Sequence, residues 1–255
     1  MKARTGIAVV LAGLAAAAVA QSADKRRSGF DDMSPALQAI QRDDFANPAV
    51  LWLTEGEAQW NARAGTAGKS CADCHGSAES MRGVAARYPA FDATAGRVVD
   101  LDQRIDACRS RHQGAPSPAP ESRARVAMEA FVARQSRGMP IVSAAESNLD
   151  RTVAAGADLF ARRMGQINLS CAQCHEERAG AHLAGTAIPQ GHPTGYPVYR
   201  SEWQAVGTLQ RRLRNCMTGV RAEPYAFGAP ELVALEAFLM RRAAGMALET
   251  PGVRP

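Results

Sequence analysis

Two five-residue stretches constrain this chain more than anything else in it: Cys71-Ala72-Asp73-Cys74-His75 and Cys171-Ala172-Gln173-Cys174-His175. Both read C-x-x-C-H, the c-type haem attachment pattern. The spacing has a mechanical basis. Two thiols three positions apart can add to the two vinyl groups of one haem, and the adjacent histidine then reaches the iron as proximal ligand. Zinc and dithiol redox sites also use C-x-x-C, but neither calls for the histidine that follows in both copies. The chain is therefore expected to carry two covalent haems, attached through Cys71, Cys74, Cys171 and Cys174, with His75 and His175 on the irons.

The rest of the composition is consistent with this. Aromatic residues make up only 5% of the chain, sparse for a globular core, and haem would supply the missing flat apolar bulk. Residues 1–20 read as a signal peptide. Lys2 and Arg4 precede an apolar run rich in Ala, Val and Leu, and Ala18-Val19-Ala20 is a small-residue cleavage site before Gln21. No other apolar run is long enough to span a membrane. A soluble, exported protein is expected, in the bacterial periplasm. Without Lys2 and Arg4 the formal charge falls from +5 to +3, too little to support a nucleic-acid role.

The chain also contains a doubled unit. The two motifs are offset by 100 positions, which places Gly56 on Gly156 and Trp60 on Phe160. At an offset of 108, Tyr88-Pro89-Ala90-Phe91 matches Tyr196-Pro197-Val198-Tyr199, and Leu101, Arg104, Ile105 and Cys108 match Leu209, Arg212, Leu213 and Cys216. At 107, Met128-Glu129-Ala130-Phe131 matches Leu235-Glu236-Ala237-Phe238, and Gly138-Met139 matches Gly245-Met246. Offsets this steady indicate duplication. The expected fold is all-α: an N-terminal arm over 21–46, then two tandem cytochrome c-like domains over 47–140 and 141–255. Ser34-Pro35 and Asn47-Pro48 read as helix starts. Pro118-Ala119-Pro120-Glu121 and Pro230-Glu231 open the last helix of each domain, and Gly138 and Gly245 cap those helices. Residues 111–120 read as a loop and 137–147 as the interdomain linker. Gly56 and Gly156, each four residues before an aromatic, suit close helix crossings. No strand pattern is evident.

Four thioethers leave Cys108 and Cys216. In an exported protein a disulfide between them is the plain reading, but equivalent positions of two domains lie near their own haems rather than near each other. The alternative makes each thiolate the sixth ligand of its own iron. Leu101, Ile105 and Cys108, like Leu209, Leu213 and Cys216, share one helical face that would suit a haem pocket wall. Met139, Met246, Met164, Met217, His112, His182 and His192 are weaker candidates for that position. The surroundings differ in charge. Asp102 and Asp106 offset Arg104, Arg109 and Arg111 around Cys108, whereas Arg211, Arg212 and Arg214 before Cys216, with Arg221 after it, have no acidic neighbour between Trp203 and Ala222. Cys216 thus sits in a cationic setting that attracts anions, unless these arginines neutralise haem propionates.

With these residues, the chain resembles the dihaem A subunit of the SoxAX cytochromes of bacterial thiosulfate oxidation. Met33-Ser34-Pro35-Ala36-Leu37-Gln38, Lys69-Ser70 with the first haem motif, the second haem motif, and Arg212-Leu213-Arg214-Asn215-Cys216 carry the resemblance, which spans nearly all of the chain after residue 20. It implies an L-cysteine S-thiosulfotransferase that joins thiosulfate to a cysteine of a SoxYZ-type carrier and releases two electrons. Cys216 would be the persulfide-bearing catalytic cysteine and distal ligand of the second haem, opposite His175. Arg212 would bind substrate, and Cys108 would face His75 across the first haem. A SoxX-type monohaem subunit would complete a heterodimer. A non-catalytic dihaem electron carrier and a dihaem peroxidase are the rival readings.

Overall fold

A computed structural model describes residues 24–255. The signal peptide expected over 1–20 and its cleavage before Gln21 lie outside the described residues. The arm carries α1 (Pro35–Arg42), opened as expected by Ser34, whose hydroxyl accepts from Leu37 N. The first copy then runs α2 (Val50–Asn61), α3 (Ala72–His75), β1 (Ala90–Asp92), β2 (Arg97–Val99), α4 (Leu101–Cys108) and α5 (Arg123–Arg134). The second runs α6 (Ser147–Ala161), α7 (Cys171–His175), β3 (His182–Leu183), β4 (Thr186–Ala187), β5 (Val198–Arg200), β6 (Ala205–Gly207), α8 (Leu209–Gly219), α9 (Pro230–Arg242) and β7 (Gly252–Arg254).

The strands correct the all-α expectation. β1 pairs antiparallel with β2, β3 with β4, and β5 lies between antiparallel β6 and parallel β7. None exceeds three residues, so none is long enough to set up the alternation by which a strand is read from sequence.

The helix scaffold follows the duplication. α2 crosses α5 at Gly56, where a Cβ would stand 2.4 Å from Ala127 O and 2.5 Å from Phe131 Cβ. α6 crosses α9 at Gly156, where it would stand 2.0 Å from Ala234 O and 2.8 Å from Phe238 Cβ. No side chain fits at such separations, so the two glycines set the crossings. Trp60 and Phe160, each 4% exposed, pack beside them on Phe131 and Phe238 at ring-centroid distances of 6.1 and 5.2 Å.

Several boundaries shift. Asn47-Pro48 forms a turn before α2 rather than its first residues: Asn47 Oδ1 accepts from Ala49 N, and its Nδ2 donates to Pro251 O. α5 opens at Ser122, which caps Arg125 N, while Glu121 adopts φ 57° and bonds Thr208 instead. α9 starts at Pro230 as expected. Gly138 and Gly245 do not cap their helices, whose C-caps are Gln135 and Ala243. They join the two copies. Gly138 N donates to Leu248 O (2.8 Å) and Gly245 N to Ile141 O (2.9 Å). Ile141 N donates to Met246 O and Leu248 N to Met139 O, both at 2.9 Å. Exchanging the copies maps each bond onto its mate, so 138–141 and 245–248 form a pseudo-two-fold seam. The expected linker is therefore partly core, with Ile141 only 2% exposed.

The same symmetry governs packing. Val98 and Phe91 of the first copy's hairpin lie against Leu149, Val153, Val233 and Ala237 of α6 and α9. Val206 and Tyr199 of the second copy's hairpin lie against Ala49, Trp52, Val126 and Ala130 on and beside α2 and α5. Each copy covers the other's helices.

The expected 111–120 loop begins late. After Cys108 the helix widens into a π turn over Arg109–Gln113, closed by Gly114 at φ 63°. α8 keeps its α geometry past Cys216 and turns at Arg221, φ 58°. A π turn accommodates one additional residue in a helix, which is why the repeat offset slips from 108 at the cysteines to 107 beyond them.

Candidate active site

Each C-x-x-C-H forms one helical turn, α3 or α7, fastened by the same device. Ser70 N donates to Asp73 Oδ2 (2.9 Å) and Asp73 N to Ser70 Oγ (3.0 Å). Ser170 N donates to Gln173 Oε1 (3.0 Å) and Gln173 N to Ser170 Oγ (3.3 Å). This reciprocal cap fixes the turn at its start, which places cysteines three apart and the following histidine along one face. Main-chain bonds then tie the preceding loop to the end of the cysteine-bearing helix: Ala67 N to Gln113 O (3.0 Å) in the first copy, Gln166 N to Arg221 O (3.2 Å) in the second.

No disulfide joins any two of the six cysteines, and Cys108 and Cys216 are not paired with each other. Cys108 ends α4 and Cys216 lies within α8, each on the face with its two aliphatic partners. Leu101 and Ile105 pack in the core around Trp60, and Leu209 and Leu213 pack against the core around Phe160. Each spare cysteine stands near the first cysteine of its own motif. Burial pushes the Cys71 thiol up, and Cys108 adds to it against the opposing pull of Arg109 and Gln113. Burial pushes Cys171 up to about 11, with Cys216 the next contributor.

The residues fit a c-type haem in each copy. Two thiols and the adjacent histidine are the attachment set of a c-type haem, and a cysteine thiolate is among the axial ligands that haem iron accepts. Arg109 Nε and Gln113 Oε1 are buried without a partner among the described residues, and Gln113 Nε2 lies 3.8 Å from Cys71 Sγ, as expected of groups facing a bound cofactor. The two histidines are held differently. His175 Nδ1 lies 2.8 Å from Pro189 O, so that nitrogen carries the proton and leaves Nε2 free to ligate. His75 is exposed and packs 5.8 Å from the Trp60 ring, whose Nε1 donates to Gly76 O at 3.1 Å.

Met217 is buried in the second core, Met164 packs on it, and Met246 packs on the first. Met139 lies against Gly83. His112 and His182 are exposed. His192 is buried, with Nδ1 2.8 Å from Arg27 O of the arm.

The arginines of α8 diverge. Arg211 stacks on Trp203, 4.4 Å from its centroid, and points toward Glu121. Arg214 stacks on Phe227 at 4.4 Å and bonds Tyr225 O. Arg221 is exposed. Arg212 is the one turned toward the sulfur: burial opposes its charge, but Cys216, Tyr196 and Glu202 outweigh that and raise its pKa. Arg104, its counterpart, is raised chiefly by Cys108.

Two residues beside Arg212, Arg200 and Glu202, belong to no motif and were not expected here. Arg200, at the end of β5, has a side chain only 12% exposed and reaches Glu202 at 2.7 Å; the same Glu202 oxygen lies 3.4 Å from Arg212. The repeat offset of 108 pairs Arg200 with Asp92, a signal that could have found it.

The family model described as the SoxA/TsdA cytochrome c domain matches residues 55–141 and 155–248. The L-cysteine S-thiosulfotransferase subunit SoxA of Rhodovulum sulfidophilum is 37% identical over 91% of this chain and 81% of its own length. The protein of that name from Pseudaminobacter salicylatoxidans is 36% identical over 91% and 82%. Among solved structures, SoxXA from P. pantotrophus superposes with a TM-score of 0.87 at 31% identity, covering 90% of this chain and 87% of that one.

Proposed function

The chain belongs to the SoxA family of cytochrome c proteins, and on that premise we propose that it is the catalytic subunit of a periplasmic L-cysteine S-thiosulfotransferase. Its substrates are thiosulfate and a cysteine on a SoxYZ-type carrier. The carrier thiolate and thiosulfate become a disulfide-linked sulfonate and two electrons, which leave through a SoxX-type monohaem subunit to c-type cytochromes. Two haems are bound, one in 47–140 through Cys71, Cys74, His75 and Cys108, the other in 141–255 through Cys171, Cys174, His175 and Cys216. When bound, haem supplies a one-electron acceptor beside sulfur.

The chain's own residues account for the remainder. Cys216, carried as a persulfide, exchanges sulfur through ordinary thiol–disulfide chemistry. Arg212 holds the sulfonate end, whose oxygens accept a guanidinium's forked donors. Pro189 O fixes the His175 ring. The observation that most supports this reading is the asymmetry between copies: the same spare cysteine recurs beside its motif, but only in the second does it share a turn with an arginine lacking a buried carboxylate partner. Cys216→Ala is expected to keep both haems, read by pyridine haemochrome, and to lose thiosulfate-dependent cytochrome reduction. Retained reduction would sink the catalytic assignment and favour a plain electron carrier. The intact mass should exceed the dihaem chain by about 32 Da, the mass of one persulfide sulfur, and lose it on reduction.

A further inference from the structure

We propose that Arg200 and Arg212 together form a two-guanidinium site for the sulfonate end of the substrate, with Glu202 holding its place until the anion arrives. The proposal rests on the sulfurtransferase reading and adds the residue that completes its anion site.

The duplication supplies the comparison. β1–β2 and β5–β6 have the same register, Asp92 opposite Arg97 and Arg200 opposite Ala205. In the first copy Arg104 is paired at 3.0 Å with Asp92, whose side chain is 8% exposed. The backbone amides of Thr94 and Ala95 hold that carboxylate at 2.8 and 2.9 Å. Arg104 itself is 42% exposed, but its charge is already neutralised by a carboxylate that is buried and locked in place, so an added anion would have to compete with a fixed partner. In the second copy the carboxylate position is occupied by Arg200, so two guanidinium groups converge where the first copy has a neutral pair.

Two like charges this close are unfavourable unless an anion lies between them. Glu202 is that anion, one oxygen accepting from Arg200 Nε and the same oxygen 3.4 Å from Arg212. Unlike Asp92 it is 46% exposed, sits in the turn after β5, and has no backbone donor fixing it among the described residues, so it can swing into water. Arg200 stays in place without it, its guanidinium carbon 5.4 Å from the Trp203 ring centroid. Tyr196 adds a third group: burial pushes its phenol up, while Arg212 and Arg200 act on it in the opposite direction. A neutral phenol beside two guanidiniums is a hydrogen-bond donor suited to a third sulfonate oxygen. A dianion with three equivalent oxygens matches this arrangement, and a neutral sulfur compound does not.

The test uses the dihaem protein with its cytochrome partner and thiosulfate as the probe. Binding to the oxidised complex is read by calorimetry without carrier, and KM and kcat are read with carrier and cytochrome acceptor. Arg200→Asp, which restores the first copy's charge arrangement, should weaken thiosulfate binding by about tenfold or more, with haem content unchanged and KM affected more than kcat. Arg200→Lys should recover most of that loss, and Glu202→Gln should tighten binding by a few fold. Asp92→Arg should leave thiosulfate affinity as it is. Unchanged affinity in Arg200→Asp, an equal loss in Asp92→Arg, or a shifted haem potential with KM unmoved would overturn the site, the last by assigning Arg200 to a haem propionate. The two readings fail separately. A complex that binds thiosulfate through Arg200 yet never turns over refutes the transferase and leaves the anion site, and turnover with Arg200→Asp at native affinity does the reverse.

Discussion

Arg104 and Arg212 occupy one position of the repeat, yet their carboxylate partners differ in burial and in anchoring. Arg212→Ala is accordingly expected to raise the KM for thiosulfate by about tenfold or more, whereas Arg104→Ala should leave it within about twofold, measured by steady-state cytochrome reduction. Arg221 makes a second residue-scale contrast. It turns the chain at φ 58° where the first copy uses Gly114 at φ 63°. A side chain in that conformation costs about 1–2 kcal/mol, so Arg221→Gly should not destabilise the protein and should raise its unfolding midpoint in denaturant. The cysteines, the histidines and Arg212 could be singled out as candidates because each lies inside a motif or a charge run. Arg200 and Glu202 were not, because they lie ten to twelve positions upstream in a hairpin that brings them back to α8 only once folded.

At the scale of elements, the helix crossings were readable from Gly56 and Gly156 because a side chain missing at the same position of both copies signals a close approach of backbones. Gly156→Ala should push α6 from α9 and cost about 1–3 kcal/mol, as over-packing generally does, with lower haem incorporation at Cys171 and Cys174 under the same expression conditions. Gly219→Ala, where a Cβ would meet nothing within 4 Å, is the matched control. The hairpins escaped notice because two- and three-residue strands carry no periodicity. The π turn was present in the sequence only as a one-position slip in the repeat, which gains a meaning once the wider helical turn after Cys108 is seen. The helix start at Ser34 could be read because cap and proline act locally. That of α5 could not, because Glu121 is drawn out of the local pattern by Thr208, 87 residues away.

At the scale of the molecule, the two copies meet around a cavity of about 300 Å³ lined by Asp100, Asp102, Asp106, Glu121, Glu129 and Glu236, with Arg125 among them. Arg125 pairs with Asp102 and Asp106 at 2.6 Å each, Arg211 reaches Glu121, and Glu129 Oε2 has no partner among the described residues. Burial pushes Asp100 up to about 6 and Asp102 to about 7, and raises Glu129 and Glu236 well above the carboxylate range. The folded chain therefore binds more protons here than the unfolded one from about pH 4 upward, so this contact stabilises most in acid and loses strength as pH rises through 6 and 7. Buried His192, its pKa lowered by burial, works in the opposite sense. The diagnostic is thus a difference: Glu129→Gln should gain thermal stability over the native protein as pH goes from 5 to 8, followed by calorimetry. None of this was visible beforehand, since acidic residues scattered from 100 to 236 have no sequence pattern. The exchange of hairpins across the seam has a further outcome. Val142 is half exposed and the stretch to Ser147 lies mostly at the surface, so a protease can nick the chain there, and the severed halves should still elute as one particle and separate only in denaturant. Neither half, expressed alone, should mature into a stable cytochrome.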